Sequence, residues 1–239
     1  DEEFRELVQD IHNRGMHIVI DGVFNHCSWY FPQFSDVVEK GESSEYANWF
    51  YRLQFPVIRP ATEEEKPTYS CFAYERKMPK LNSSNPEERA YFMEVCRYWI
   101  REFKVDGWRL DVANEVDRGF WRDFHRAAHE ENPESVMIGE IWESSETWLN
   151  GDMFDSTMNY DFRKNCRDFF ALRKISAEEF HDRIVKMLLR YRTGTLRGQL
   201  NLLDSHDVNR FLSYCEGDLR RFRLAEVFLF TSPGIPCVF

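Results

Sequence analysis

Residues 107–115 read GWRLDVANE, an apolar strand pattern with an arginine and an aspartate set two positions apart inside it. Desolvating such ions costs several kcal/mol each after relaxation. The pair Arg109 and Asp111 therefore needs a partner or a task. Alternation along a strand puts both on one face, where the guanidinium favours the ionised form of Asp111. The same layout, apolar residues ending in polar ones, recurs along the chain. HIVIDGVFNH (17–26) carries Asp21, Asn25 and His26, VMIGEIW (136–142) carries Glu140, and LRGQLNLLDSHD (196–207) ends in His206 and Asp207.

Helical patterns separate these strands. Phe4, Leu7, Val8 and Ile11 share one face before Gly15. SNPEERAYFMEVCRYWIREF (84–103) opens with Asn85 as N-cap and Pro86 at the first helical position, and Glu88 is placed to close a capping box. Further helices are expected in FWRDFHRAAHEE (120–131), EEFHDRIVKMLLRYR (178–192), opened by Ser176 and Glu179, and DLRRFRLAEVFLF (218–230). Strand and helix in alternation imply an α/β fold with a parallel sheet. Polar residues gathered at strand C-termini favour a (β/α)8 barrel, whose sites are built on that rim. An open nucleotide-binding sheet would carry a glycine-rich phosphate loop, and none occurs. Residues 27–83 lack a period and include RPATEEEKPTY, so they read as an inserted loop subdomain, with 1–26 and 84–239 forming the barrel part.

A net charge of −10 excludes a nucleic-acid or anionic membrane surface as the main partner, and no apolar run is long enough for a membrane-spanning helix. Aromatics at 16% suit sugar rings as well as cores. The six cysteines show no C-x-x-C spacing and read as reduced and structural, which points to the cytoplasm. No signal-peptide layout opens the chain. The three carboxylates Asp111, Glu140 and Asp207 suit retaining glycoside hydrolysis, which needs a nucleophile and an acid/base roughly 5–5.5 Å apart. Glu140, flanked by Ile141 and Trp142, suits the proton donor, because desolvation favours a neutral carboxyl. A divalent-metal hydrolase is a second class, weakened because only His26 and His206 lie at strand ends.

The segments DGVFNH, GWRLDVANE, GEIW and LDSHD, in this order, resemble the four signature regions of the α-amylase family of glycoside hydrolases. With KMPKLN (77–82), FWRDF, WLNGDMFDSTMNY and PGIPCVF, they are most similar to its cyclomaltodextrinase, neopullulanase and maltogenic amylase branch. The resemblance implies Asp111 as nucleophile, Glu140 as general acid/base and Asp207 as the third carboxylate. It further implies that His26 and His206 bind the sugar at the cleavage point, with Arg109, Trp142, Asn114 and Glu115 contributing to substrate binding and Asp21 and Asn25 organising the first region. The implied substrate is an α-glucan cut at α-1,4 bonds with some tolerance for α-1,6. No cofactor is required, no metal ligand is assigned, and calcium is expected only in a structural role. Counted from its first motif, the chain is expected to supply strands three to eight of a partial barrel, with homodimerisation through regions outside it. A non-catalytic relative is the contrasting reading, and it would be expected to lose carboxylates. Glu143, Asp204, Val208 and Asn209 depart from the branch pattern, which puts linkage preference in doubt.

Overall fold

In the computed structural model, which describes residues 1–239, the alternation read from sequence becomes six short strands and nine α-helices, distributed over two units, residues 1–137 and 138–239. In the first unit α1 (Glu2–Asn13) buries Val8 and sets Phe4 edge-on against Trp99 and Phe103 at 5.6 and 5.4 Å. Gly15, at φ +68°, supplies the left-handed turn beyond the helix that other residues adopt reluctantly. Strand β1 (Val19–Gly22) then pairs in parallel with β2 (Gly107–Leu110), with Asp21 opposite Arg109. Both strands are shorter than the apolar runs that announced them.

The first unit packs around Phe24. Its ring lies 4.9 Å from Phe124, 5.2 Å from Phe92, and within 6.3 Å of Trp108, Phe120 and Trp121. These side chains come from β2 and from the two helices that flank it in sequence, α3 (Pro86–Phe103) and α4 (Arg118–Glu131). Full burial of each such ring stabilises by about 1.5–3 kcal/mol, so this cluster anchors the strand that carries the site. Gly107 opens β2 because there is no room for a side chain. A Cβ there would sit 2.2 Å from the Val136 carbonyl oxygen at the start of β3 (Val136–Gly139).

The cap of α3 differs from its expectation in one respect. Asn85 Oδ1 accepts from the N–H groups of Glu87 and Glu88 at 2.9 and 3.0 Å, as the cap requires. Glu88 does not reach back to close the box. Its side chain turns inward instead, is 0% exposed, and leaves both carboxylate oxygens without a hydrogen-bond partner. Burial pushes its pKa up to about 8, against the weaker opposing pull of Arg89.

Residues 27–83 contain a helix that aperiodic composition concealed, α2 (Pro32–Lys40), started by Pro32 at its first position. Around it lie single 3₁₀ turns and the antiparallel bridges His26–Lys80, Phe50–Leu81 and Cys71–Pro79. The segment has packing of its own, with Phe34 edge-on to Phe50 and Tyr69 at 5.0 and 4.9 Å.

In the second unit β3 pairs with β4 (Ser156–Asn159), β4 with β5 (Leu200–Leu202) and β5 with β6 (Ile235–Cys237), all in parallel. Helix α5 (Tyr160–Cys166) is capped by Asn159, and α6 (Ala177–Arg190) by Ser176, whose hydroxyl accepts from the Glu179 N–H at 3.1 Å. Short α7 (Thr193–Gly198) and α8 (Phe211–Tyr214) precede α9 (Leu219–Thr231). Phe162, Met187, Leu203, Phe211 and Leu229 form the core of this unit.

All six cysteines are free thiols. Burial pushes the thiol of Cys27 up to about 12 and that of Cys166 far above its ordinary value, so both are poor nucleophiles.

Glu88 gives a pH-dependent prediction. A carboxyl whose folded pKa is raised contributes most stability below its unfolded value near 4.5, and that contribution is lost as pH climbs through about 8. Glu88→Leu is therefore expected to raise the melting temperature of the full-length protein, with a gain that grows from pH 5 to pH 8.5. An equal gain at both ends of that range would remove the buried carboxylate as its cause.

Candidate active site

The end of β2 is built around one guanidinium. Arg109 Nη1 donates to Asp111 Oδ1 at 2.7 Å and to both oxygens of Asp21 at 2.9 and 3.1 Å. The Asp21 contact follows from register, because parallel pairing puts these two residues opposite each other. Asp111 lies one residue past the strand, and its N–H continues the ladder by donating to the Gly22 carbonyl at 3.0 Å. Val112 then takes a left-handed conformation, φ 45° and ψ 44°, before the 3₁₀ turn Ala113–Glu115. That turn is pinned from α4 by Trp121, whose indole N–H donates to the Ala113 carbonyl at 2.8 Å. Backbone and side chain together thus fix where the Asp111 carboxylate stands.

Asn25, His26 and Glu115 meet around a residue that sequence reasoning passed over. Lys80 Nζ donates to Asn25 Oδ1 at 2.6 Å and pairs with Glu115 Oε2 at 2.6 Å. Asn25 is buried, and its amide nitrogen lies 3.4 Å from His26 Nδ1. The His26 ring stacks on Phe72, centroids 4.6 Å apart and planes within 4°. Burial, and then the Lys80 charge, hold His26 below its ordinary pKa, with Glu115 opposing. The imidazole is therefore neutral at pH 7. Asn114 is exposed on the same turn as Glu115.

In the second unit Glu140 follows β3 directly and is 3% exposed. The Trp142 indole N–H donates to Glu140 Oε1 at 2.9 Å, and the Trp142 ring lies flat on Tyr160, centroids 4.1 Å apart and planes within 13°. His206 and Asp207 sit exposed on the turn after β5, with Nε2 and Oδ2 3.2 Å apart. Asp204, a departure from the branch pattern, accepts from the Phe211 N–H at 2.8 Å and so orders the start of α8. The H-x-x-x-H spacing of His125 and His129 lies on α4 and not at a strand end. Its rings stack 4.0 Å apart, and His129 Nδ1 bonds to the His125 carbonyl.

The model of the α-amylase catalytic domain matches residues 1–239, the whole chain. The chain belongs to the α-amylase family. It is 45% identical over 236 residues to a cyclomaltodextrinase of Thermoanaerobacter pseudethanolicus, covering 98% of this chain and 40% of that protein. It is 44% identical to an intracellular maltogenic amylase of Bacillus subtilis, covering 100% of this chain and 39% of that protein. Among solved structures, a cyclomaltodextrinase superposes with a TM-score of 0.94 at 43% identity, over 99% of this chain and 40% of the other. The chain thus spans about two fifths of the length of the curated relatives it matches. The fold is that of a partial (β/α)8 barrel, as the strand-end pattern predicts.

For this α-amylase family member, calcium is the metal expected in a structural role. Calcium takes six to eight oxygen ligands. At Asn25 the oxygen is engaged by an ammonium group that also neutralises Glu115, and a divalent ion brought there would meet a like charge. Asn25 and its neighbours do not fit calcium. Lys80 and Phe72 went unassigned because both lie in the aperiodic stretch, and Tyr160 because it reads as core at the end of a strand. The only sequence signal for Lys80 is its place in KMPKLN.

The Lys80 ammonium adds to burial in holding His26 below its ordinary pKa. A depressed histidine contributes stability that is present above its unfolded value of 6.5 and lost as pH falls through the lowered folded value. Lys80→Met removes one lowering influence and leaves Glu115 in place, so the His26 titration midpoint is expected to move up in NMR. A midpoint that stays put would mean that Lys80 has no hold on it.

Proposed function

We propose that this chain is the catalytic part of a retaining α-glucan hydrolase that cuts α-1,4-glucosidic bonds, and some α-1,6 bonds, in cyclodextrins, pullulan, starch or maltooligosaccharides. The observation that carries the reading is the bond from Arg109 to Asp111 at the end of β2, backed by Asp21. It keeps a carboxylate ionised and aimed, as a nucleophile requires. Asp111 attacks the anomeric carbon while Glu140 protonates the departing oxygen. Glu140, now a carboxylate, then takes a proton from water, and that water hydrolyses the glycosyl ester. Asp207 holds sugar hydroxyls as the ring flattens toward an oxocarbenium ion. His26 and His206 donate hydrogen bonds that strengthen as charge develops. Asn114, Glu115 and Trp142 lie toward the acceptor sugar, while Asp21 and Asn25 organise the first region. Residues 27–83, as an inserted subdomain, contribute Lys80 and Phe72.

Six free cysteines and the intracellular maltogenic amylase among the relatives support a cytoplasmic setting. No helix is long and apolar enough to cross a membrane.

The test is the initial rate of reducing-end release by the full-length protein from β-cyclodextrin, pullulan and soluble starch. β-Cyclodextrin is expected to open fastest, and pullulan to yield panose. Glu140→Gln and Asp111→Asn are each expected to lower the rate by about 100-fold or more. Full activity of Asp111→Asn would end the double-displacement reading.

A further inference from the structure

The segment that follows Glu140, IWESSETW (141–148), contains no strand, only a 3₁₀ turn at Glu146–Trp148, yet it carries Trp142 and Glu143. What fixes it lies beneath. Ser145 is 3% exposed, while Thr157 on β4 and Gln199 before β5 are both 0% exposed. Tyr191 OH and Ser145 Oγ are 3.1 Å apart, Ser145 Oγ and Thr157 Oγ1 2.7 Å, and Thr157 Oγ1 and Gln199 Oε1 2.8 Å. Each hydroxyl has one hydrogen to give, which settles the direction of the chain. The Gln199 oxygen can only accept, so Thr157 donates to it, Ser145 donates to Thr157, and Tyr191 donates to Ser145. In return the Tyr191 oxygen accepts the Ser145 N–H at 3.4 Å. Beside it Arg190 Nη1 donates to Ser144 Oγ at 2.5 Å and pairs with Asp161. The loop is thereby tied to the end of α6 and to β4, whose Thr157 stands opposite Gly139, the residue before Glu140. Valine would fill the space at 157 equally well. The hydroxyl adds a demand for one arrangement, because loss of any member leaves its buried neighbours unsatisfied.

We propose that the chain Tyr191–Ser145–Thr157–Gln199 determines acceptor specificity: it holds the loop of Trp142 and Glu143 where an acceptor sugar can compete with water for the glycosyl intermediate. These four are positioning residues, and Ser145, Thr157 and Gln199 are too deeply buried to touch a sugar themselves. The inference rests on the glycosidase reading and deepens it, because that reading puts Trp142 toward the acceptor sugar. In the step concerned, the acceptor's hydroxyl oxygen bonds to C1 and its proton goes to Glu140. The bond from C1 to the Asp111 carboxylate breaks, with its electron pair returning to that carboxylate. Water attacks the same carbon and gives its proton to the same glutamate. An impaired Glu140 therefore slows both attacks alike, whereas a displaced loop penalises the sugar alone.

The experiment supplies the full-length protein with α-maltosyl fluoride as donor and methyl α-glucoside as acceptor, and reads the ratio of maltosyl transfer product to maltose. Fluoride release above the buffer blank is followed separately without acceptor. Thr157→Val and Tyr191→Phe each remove one hydroxyl and keep the packing shape, and Thr157→Ser keeps the hydroxyl. Rates are taken at a temperature where each variant is shown by its melting curve to be folded.

Thr157→Val and Tyr191→Phe are each expected to lower the transfer ratio about 3-fold to 10-fold, the factor that one neutral hydrogen bond is worth, with fluoride release kept within about twofold. Thr157→Ser is expected to keep the original ratio. An unchanged ratio in either hydroxyl-free variant would make the chain a structural element only and overturn the role, whatever happens to the melting temperature. An unmodified protein that hydrolyses the fluoride but transfers nothing would overturn it as well. If the unmodified protein acts on neither the fluoride nor β-cyclodextrin, the glycosidase reading falls first and this inference with it. If it acts on both, a failure at 157 and 191 belongs to this inference alone.

Discussion

A single guanidinium ties the first unit's strand ends together. Arg109 stands opposite Asp21 across a parallel pair and two residues before Asp111, so one side chain holds a carboxylate on the neighbouring strand and a second on its own. The Arg109 side chain is 12% exposed, and an ion that deeply placed is costly without the carboxylates beside it. The aromatic packing around Phe24 fixes β2 from behind, and the missing side chain at Gly107 lets the chain at Val136 approach it. What looks like an anomaly in an apolar strand is thus the joint from which the site is built.

The two histidines assigned to the sugar live in contrasting surroundings. His26 is stacked, partly buried and kept neutral by burial and by the ammonium at Lys80, so it offers a fixed hydrogen-bond donor that does not compete for protons. His206 is exposed beside Asp207, with Nε2 and Oδ2 3.2 Å apart.

Much of this was legible in the residues. The helical faces of α1, α3, α4 and α6, the caps at Asn85 and Ser176, and the polar ends of the strands follow from period and capping chemistry, which act over a few residues. Partnerships over longer separations were not legible. Lys80 reaches Asn25 from 55 residues away, and no local rule reports that contact. Helix α2 was hidden because its buried residues, Phe34 and Val37, are too few to make a period against the aromatic background. Glu88 matched a capping motif by letter, yet the space beneath α3 drew it inward, which shows that a local motif yields to packing when the two compete.

Val112 follows the proposed nucleophile in a left-handed conformation, which a β-branched residue adopts at a cost of about 1–2 kcal/mol. The surrounding bonds hold it there, from the Asp111 N–H on Gly22 to the Trp121 indole on Ala113. A glycine or asparagine at 112 would relieve the strain but free the backbone that aims Asp111. Relief of strain and a fixed backbone at Asp111 therefore pull in opposite directions at this one residue.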